Sequence, residues 1–417
     1  MKKFSAQPYR LINKVQYYDW GTKDENAFIP KFLGVEAKPG LPYAELWIGA
    51  HPKCPSEIVV DNVNFPLNKF VKDYPVECLG DYVVRKFNGQ FPFLLKVLSS
   101  DRALSIQTHP NKIQAEKLHS LDPKNYPDDN HKPEIAVAVD SLAAIAGFRP
   151  VKEIVQNLIS LPELNDFIGE DIIAKVLNSK NDQEFEENIQ GLYSEIMKRA
   201  DESEKLSNCI LKIAERLKGK STLLPEEFQF LTQYDLFGVD VGLLSFFFFN
   251  IIHLEKGQAI FTQAGVPHAY IKGNIIECMA NSDNVVRAGL TNKFKDVKTL
   301  LDIIKYDFAK YEILNEEQKE DEVTYHTKAQ EFEVSHYRKK AGYTQNLKSN
   351  DKLSVYLIVE GALEVKWESG EVKSSQSFSK GESILIPAAL SEYMISTTNA
   401  AEYYVVNIPS EYMIGKI

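Results

Sequence analysis

The amino-acid sequence predicts a mainly β protein with an α-helical insert. Short apolar runs separated by Pro and Gly fill residues 1–149, a helical period of 3.6 replaces them in 150–235, and β-like runs return from about residue 236. The chain has 417 residues, which is too long for one ordinary hydrophobic core. We therefore expect two or three domains.

The apolar runs of the first 149 residues are short and bounded by turn-forming residues. This pattern is typical of a sandwich or barrel, because strands that reverse direction need such residues at their ends. The turn-forming residues are Pro30, Pro39, Gly40, Pro42, Pro52, Pro55, Pro66 and Pro92.

Residues 150–235 contain apolar side chains at helical spacing. Gly219 follows the second set as a stop signal, and Pro225 suits the first turn of a further helix. After this insert, the apolar run 239–254 is interrupted by polar residues, and we expect a buried strand or strand pair there. The two sets that share a helical face are Phe185, Ile189, Leu192 and Ile196, and Leu206, Ile210, Ile213 and Leu217.

The last third of the chain is β-like and is similar to an earlier stretch. LEKGQAIFTQAGVPHAYIK and FSKGESILIPAALSEYMIS share a Lys-Gly start, an apolar strand, an Ala-containing turn and a later aromatic residue. Twelve residues after Lys256 comes His268, and twelve after Lys380 comes Glu392. This weak internal repeat predicts two barrels of one type, the second without the histidine.

The predicted division of the chain follows from these changes of pattern. A β domain is split into residues 1–149 and 236–314, a helical domain occupies 150–235, and a C-terminal barrel occupies 315–417.

Four residues are candidate metal ligands. Gln107 and His109 are two apart after an apolar run, so on a strand both side chains lie on one face. Glu134 opens the apolar stretch 134–139, where a buried carboxylate needs a partner. His268 follows a strand-like run and is the best candidate for the fourth ligand. Imidazole, carboxylate and amide groups together suit a divalent metal such as zinc.

Six motifs resemble one protein family. They are, in chain order, YYDWG, AELWIGAHP, FPFLLKVLSSDRALSIQTHP, YPDDNHKPE, VPHAY and ECMANSDNVVRAGLTNKFKDV. In this order they are similar to the motifs of the type I phosphomannose isomerases, from about residue 9 to about residue 300. The C-terminal third has no such motif, although the family has a domain there.

The resemblance implies two cupin-type jelly-roll barrels, of which the C-terminal barrel has no metal. The implied reaction interconverts mannose 6-phosphate and fructose 6-phosphate through an enediol. It supplies mannose 6-phosphate for GDP-mannose and glycan precursors or for mannose utilisation. Fe²⁺ or Mn²⁺ would also suit the donor set. The implied cofactor is one Zn²⁺ per chain, with the ligands Gln107, His109, Glu134 and His268.

The same resemblance assigns catalytic roles. Arg287 corresponds to the family's catalytic arginine and would stabilise the enediolate, the alternative being a structural ion pair with Asp283 or Glu277. Lys132 and Glu277 are both candidates for the base that removes the proton. His131 is a candidate for ring opening, because Pro133 disturbs the strand that would turn it away. Asp283 is a further candidate catalytic residue.

Candidate phosphate-binding residues lie in two segments. Ser105 is two residues before Gln107 and so shares its face. The other candidates are Lys96, Lys293 and Lys295, and Lys293 follows Thr291 in a polar turn. The alternative is that these residues are solvated surface residues without a role in binding phosphate. Asn292 stands where the family often has Pro.

Composition restricts the possible partners. A net charge of −10 argues against nucleic acid and anionic membranes, and means that an anionic substrate needs a local basic pocket. Four scattered cysteines without a CxxC motif, and an N-terminal MKKFSAQPYR without an apolar segment, predict a reduced, cytoplasmic protein with no signal peptide. The resemblance implies a small sugar phosphate as the partner, and we expect a monomer.

Two other classes of protein remain as alternatives. A non-catalytic sugar-binding cupin would have the barrels, but would not need Lys132, Glu277 and Arg287 together. An iron-dependent cupin oxygenase would use similar ligands, but would not need a phosphate pocket.

Overall fold

The computed structural model describes residues 4–60, 63–314, 321–369 and 372–409. The strands of these residues are β1 (Tyr9–Ile12), β2 (Lys14–Gln16), β3 (Glu45–Gly49), β4 (Glu57–Val60), β5 (Val63–Pro66), β6 (Phe93–Ser100), β7 (Ile106–Thr108), β8 (Glu134–Phe148), β9 (Phe249–Glu255), β10 (Ala259–Thr262), β11 (His268–Ala280), β12 (Val286–Gly289), β13 (Glu322–Tyr325), β14 (Glu333–Lys339), β15 (Thr344–Lys348), β16 (Ser354–Glu360), β17 (Ala362–Ser369), β18 (Val372–Ser379), β19 (Ser383–Ile386), β20 (Glu392–Ser396) and β21 (Ala401–Asn407).

The helices of the same residues fall into two groups and a single later one. The α-helices are α1 (Phe28–Leu33), α2 (Leu67–Asp73), α3 (Pro75–Leu79), α4 (Asp81–Lys86), α5 (Lys112–Leu121), α6 (Val151–Ile159), α7 (Glu163–Ile168), α8 (Glu170–Leu177), α9 (Asp182–Lys198), α10 (Ser203–Lys218), α11 (Pro225–Phe237) and α12 (Val297–Ile303). Short 3-10 helices occupy Asp24–Asn26, Arg199–Asp201 and Val241–Phe247. The predicted fold class, mainly β with an α-helical insert, is confirmed.

A nine-stranded antiparallel sheet carries most of the sequence motifs. Its long strands β8 and β11 pair along nearly their full lengths. On its other edge, β11 pairs with β7 at His268 and with β6 from Gly273 onward. Register shifts on either side of Gly273 accompany this change of neighbour, and bulges of this kind bend a strand. Alternate residues of β8 enter different cores, because Ile135 packs on one face and Ala136 on the other.

An eight-stranded and a four-stranded sheet together form the C-terminal barrel. Their facing side chains enclose a separate apolar core. The eight-stranded sheet has the order β13-β14-β21-β16-β19-β1-β4-β5, so three strands come from the N-terminal part of the chain. Its other face packs against the nine-stranded sheet.

This strand order corrects one part of the predicted domain division. Residues 1–149 were expected to lie wholly in the split domain, yet β1 pairs with β19 through Tyr9 and Leu385. Backbone hydrogen bonds to a distant strand leave no trace in local sequence pattern, which is why the pairing was missed. The remaining division stays a prediction, and 315–320, 370–371 and 410–417 of its last domain lie outside the described residues.

The helical insert agrees closely with its prediction. Helices α6 to α11 run from Val151 to Phe237, and both predicted apolar faces are buried in α9 and α10. Helix α10 ends at Lys218, immediately before Gly219. Among the described helices, none combines the length and the apolar character needed to cross a membrane.

The structure adds short helices to the β-rich first 149 residues and corrects one local prediction. Residues 1–149 also contain α1 to α5, and α1 to α4 are only five to seven residues long, too short for periodicity to reveal them. The run 239–254 begins as a 3-10 helix over Val241–Phe247 and becomes the strand β9 only at Phe249. A run of buried residues does not distinguish these two structures.

The internal repeat has a counterpart in the elements. His268 is the first residue of β11 and Glu392 is the first residue of β20, each after a short strand and a turn. His268 is buried, whereas the Glu392 side chain is 71% exposed and pairs with Lys348. The matched position of the C-terminal barrel therefore points to solvent.

Candidate metal centre and its cavity

Three predicted ligands meet inside the nine-stranded sheet. His109 follows β7, Glu134 begins β8 and His268 begins β11, and all three are buried. Their ligand atoms lie within 4.8 Å of one another. Strands that are far apart in sequence thus bring two imidazoles and one carboxylate to a common point.

Hydrogen bonds hold both imidazoles in one orientation. His109 Nδ1 donates to the Asn284 carbonyl at 2.7 Å, and His268 Nδ1 donates to the Val266 carbonyl at 2.9 Å. Each ring therefore turns Nε2, with its lone pair, toward the carboxylate of Glu134. Burial, helped by the charge of Lys132, lowers the pKa of His109 to about 4, so this ring is neutral at pH 7.

The unsatisfied atoms of this cluster fit a cation. His268 Nε2 lies 2.8 Å from Glu134 Oε1 and His109 Nε2 lies 3.5 Å from Glu134 Oε2. Within the described residues, His109 Nε2, Glu134 Oε2 and His268 Nε2 nevertheless have no hydrogen-bond partner. Buried lone pairs that face one another are unfavourable unless a positive ion lies between them. The donor set therefore matches a divalent metal.

The carboxylate of Glu134 is kept ionised. Burial alone would raise its pKa, but the neighbouring positive charge of the Lys132 ammonium outweighs burial and holds the pKa well below its ordinary value. Lys132 Nζ lies 3.3 Å from Glu134 Oε2, and the Tyr270 hydroxyl donates to Oε1 at 3.4 Å. An anionic carboxylate is the form that binds a metal.

Gln107 lies beside the cluster by strand register. On β7 it is opposite His268 of β11 and opposite Arg287 of β12. Directly opposed residues on neighbouring strands have Cβ atoms about 5 Å apart and share a face. Gln107 is half-buried and lines a cavity, so its role as a fourth ligand stays a prediction.

A cavity of about 570 Å³ opens next to the cluster. Gln107, Lys132 and Tyr270 form the part of its wall that adjoins the ligands. The wall contains five cations and four carboxylates, so it is more positive than the acidic protein as a whole. These cations are Lys96, Arg102, Lys132, Arg287 and Lys293.

Arg287 has no ion-pair partner among the described residues. The predicted alternative partners are engaged elsewhere, since Asp283 lies 2.7 Å from Lys53 and Glu277 lies 2.9 Å from Lys96. Its Nε is buried without a hydrogen bond, and burial lowers the pKa of the guanidinium. The structural ion pair considered from the sequence is therefore wrong, and the charge of Arg287 faces the cavity.

Lys96 and Glu277 form a buried ion pair in the cavity wall. Besides Glu277 at 2.9 Å, the ammonium lies 3.6 Å from Glu45 and 5.5 Å from the ring centre of Trp47. Burial lowers the pKa of Lys96, but the two carboxylates outweigh it and raise the pKa above its ordinary value. Lys96 was predicted to bind phosphate, but its charge is already neutralised. The structure pairs it with Glu277 instead.

Two predicted catalytic residues are directed away from the cavity. His131 Nε2 lies 2.7 Å from Glu331, a residue of the loop before β14, and Asp283 pairs with Lys53 and His51. Neither residue lines the described cavity. Despite Pro133, the side chain of His131 does not join that of Lys132 in the cavity wall. The geometry therefore gives no support to a ring-opening role.

Ser105 and Lys293 line the cavity, and their role in binding phosphate stays a prediction. Three further residues contribute to the site and were not predicted from the sequence. Arg102 lines the same cavity, Tyr270 contacts Glu134, and Asn284 orients His109. Tyr270 had a usable signal, because it is two residues after His268 on one strand. Asn284 acts through its backbone carbonyl, for which residue type carries no signal.

The chain is similar to known proteins in both sequence and structure. A family model for the catalytic domain of type I phosphomannose isomerase matches residues 9–151. The mannose-6-phosphate isomerase of Candida albicans is 39% identical over 332 residues, which are 74% of this chain and 74% of the relative. Mannose-6-phosphate isomerase 2 of Arabidopsis thaliana is 34% identical over 419 residues, 97% of this chain and 94% of the relative.

Solved structures are similar over both barrels. A mutant phosphomannose isomerase from Salmonella typhimurium has a TM-score of 0.84 at 28% identity, covering 96% of this chain and 100% of the other. A mannose 6-phosphate isomerase solved with zinc bound has a TM-score of 0.82 at 29% identity, with the same coverage. The similarity thus includes the metal-site sheet, the helical insert and the C-terminal barrel.

Proposed function

Because the chain belongs to the type I phosphomannose isomerase family, we propose that it interconverts mannose 6-phosphate and fructose 6-phosphate. The observation that carries this proposal is the buried His109–Glu134–His268 cluster beside a cavity lined with cations. An aldose–ketose isomerase needs an acid/base group, a site for negative charge on the sugar oxygens and cations for the phosphate. The cavity wall offers groups of all three kinds.

Zinc is the metal that this ligand set would hold. His109, Glu134 and His268 supply two neutral nitrogens and one carboxylate, and Gln107 would add a neutral oxygen. When bound, a zinc ion supplies a Lewis acid that favours negative charge on substrate oxygens. The two backbone-held imidazoles keep their Nε2 atoms in place for it.

Proton transfer between C1 and C2 of the sugar would use Lys132 or Glu277. Both side chains lie in the cavity wall, and both stay candidates. Lys132 lies beside Glu134, whereas Glu277 is held by Lys96 at 2.9 Å on the neighbouring strand β6. Arg287 would stabilise the enediolate, because its charge is not shared with a carboxylate of the described residues.

Ser105 and Lys293 are the proposed phosphate ligands, and Arg102 joins them. All three line one cavity, and Arg102 also pairs with Asp19 and lies 5.7 Å from the ring centre of Phe237. A hydroxyl and two cations are suited to a phosphate dianion. Their presence in the same cavity supports a sugar phosphate rather than the substrate of an oxygenase.

The test of this proposal is a coupled assay for conversion of mannose 6-phosphate to fructose 6-phosphate, together with metal analysis. We expect one zinc per chain, and reversible loss of turnover when a chelator removes it. His109→Ala should lose both zinc and activity, whereas His326→Ala, at a side chain that is 79% exposed, should keep both. Full turnover with much less than one metal per chain would disprove the zinc proposal.

We also propose a cytoplasmic monomer whose partner is a small sugar phosphate, without nucleic acid or membrane. The four cysteines are free thiols, which supports a reducing compartment. The net charge of −10 supports the absence of polyanionic partners. Analytical ultracentrifugation at micromolar concentration would test the monomer.

A further inference from the structure

Asp240 joins two segments of chain at the edge of the cavity. It lies between α11 and the 3-10 helix Val241–Phe247, where the helical insert returns to the β structure. Its Oδ1 accepts hydrogen bonds from the backbone N–H groups of Gly242 and Leu290, both at 2.7 Å. One carboxylate oxygen therefore holds together the backbones at Gly242 and Leu290.

The two backbones meet so closely that neither can shift toward the other. A Cβ on Gly289 would lie 2.4 Å from the Gly242 Cα and 2.9 Å from Asp240 Oδ1. Leu290 has a φ of 52°, a left-handed conformation that is unfavourable for a residue other than glycine. The bond to Asp240 offsets this cost, because it satisfies the Leu290 N–H in that conformation.

The segment fixed in this way enters the cavity directly. After Leu290, the residues Thr291, Asn292 and Lys293 all line the cavity wall, and the Lys293 N–H donates to Thr291 Oγ1 at 3.1 Å. Arg287 is held separately by the pairing of β12 with β7. Asp240 therefore controls the position of 291–293 rather than that of Arg287.

We infer that Asp240 is a positioning residue that holds the 291–293 loop where it binds the phosphate of the substrate. This inference rests on the proposed function. It assigns Asp240 a geometric role, since the carboxylate acts as an acceptor for two N–H groups and its negative charge is not needed. An amide oxygen at the same place could accept the same two bonds.

Asp240→Ala should therefore weaken phosphate binding more than it slows the chemical step. We expect the KM for mannose 6-phosphate to rise about tenfold while kcat changes less than threefold, because the interaction lost is made with the bound phosphate throughout the reaction. Asp240→Glu keeps the charge but moves the oxygens, and should raise KM similarly. Asp240→Asn should stay within about twofold of the unmodified chain.

Calorimetric binding of inorganic phosphate to the zinc-loaded full chain gives a second measurement that does not require turnover. The Kd should rise about tenfold in Asp240→Ala and in Asp240→Glu, but not in Asp240→Asn. Asp235→Ala is the matched control, because this acidic residue of α11 is 68% exposed and lies outside the cavity wall. It should leave KM, kcat and Kd unchanged.

The outcomes separate the two proposals. A wild-type chain that binds phosphate but does not isomerise the sugar would overturn the proposed function, while a selective loss of phosphate binding in Asp240→Ala would still support the positioning role. A variant that loses kcat and melting temperature together at unchanged KM and phosphate Kd would overturn the positioning role. So would an Asp240→Asn variant as impaired as Asp240→Ala. If Asp240→Ala does not fold, the comparison of Asp240→Glu with Asp240→Asn decides. The positioning role then requires that KM and the phosphate Kd rise in Asp240→Glu but not in Asp240→Asn.

Discussion

Arg287 carries a charge that no carboxylate among the described residues neutralises. The pairing of its strand β12 with β7 holds its backbone. Its Nε is buried without a hydrogen bond, and this costs free energy. Such a group is typical of a site that receives an anionic partner. The developing charge of an enediolate would supply one, which is why the arginine is the most informative single position.

Arg287→Ala should lower kcat by roughly 10²–10³ while KM changes little, because the interaction would be made mainly in the transition state. Arg287→Lys should recover only part of the rate, since an ammonium cannot make a two-pronged contact. Steady-state kinetics, melting temperature and zinc content should be measured together. If the loss of rate follows a loss of zinc or of folded protein, the catalytic role is excluded.

Gly273 shows how a single element depends on one residue. It lies where β11 exchanges β7 for β6 as its neighbour, with a φ of 142°. A Cβ at this position would lie 2.1 Å from the Ser141 carbonyl oxygen on β8. The bend of the nine-stranded sheet therefore requires glycine, and it carries His268 to the metal cluster.

Gly273→Ala should destabilise the protein by roughly 3 kcal/mol or more, because both the conformation and the space exclude a side chain. Gly191→Ala is the matched control, since this glycine of α9 has nothing within 4 Å of its would-be Cβ. Alanine there should stabilise the protein by about 0.5–1 kcal/mol. Urea unfolding curves measure both changes, and similar effects of the two substitutions would contradict this account of the bend.

The C-terminal barrel is joined to the rest of the molecule but is distant from its chemistry. Glu392, at the position that matches His268 in the internal repeat, pairs with Lys348 at 2.9 Å near the surface. We expect Glu392→Gln to leave kcat within about twofold of the unmodified value. A loss comparable to that of His109→Ala would show that the C-terminal barrel carries a catalytic group.

An ion pair connects the two parts of the molecule. Lys256, in the turn before β10, lies 3.0 Å from Glu402 of β21, which also lies 2.9 Å from His336. Burial raises the pKa of Glu402, but its hydrogen bonds with His336 and Lys256 outweigh burial and lower the pKa to about 2. An unfolded glutamate has a pKa of about 4.3, so this carboxylate stabilises the folded state above that pH.

Glu402→Gln should therefore reduce the free energy of unfolding by about 1–3 kcal/mol at pH 7. The difference from the unmodified chain should shrink as pH falls from about 4.3 toward 2, where the carboxylate becomes protonated in both states. Glu368→Gln, at a surface pair that is 65% exposed, should cost less than about 0.5 kcal/mol at any pH. A pH-independent difference for Glu402 would refute the linkage.

Some properties of this protein were determined by its sequence alone. The long amphipathic helices of the insert, the strand opened by Glu134 and the short strand Ala259–Thr262 all follow local periodicity. The ligands His109, Glu134 and His268 were recognisable from their motifs and meet in the structure. Local patterns predict these features because each depends on residues that are close together in the chain.

Other properties were decided only by the tertiary structure. The pairing of β1 with β19, the neutralisation of Lys96 by Glu277 and the turning of His131 toward Glu331 join residues that are far apart in the chain. A lysine or histidine has the same local pattern whether it faces a substrate or a carboxylate. Which of these partners it meets depends on how the sheets stack, and a one-residue change of strand register would reverse the outcome.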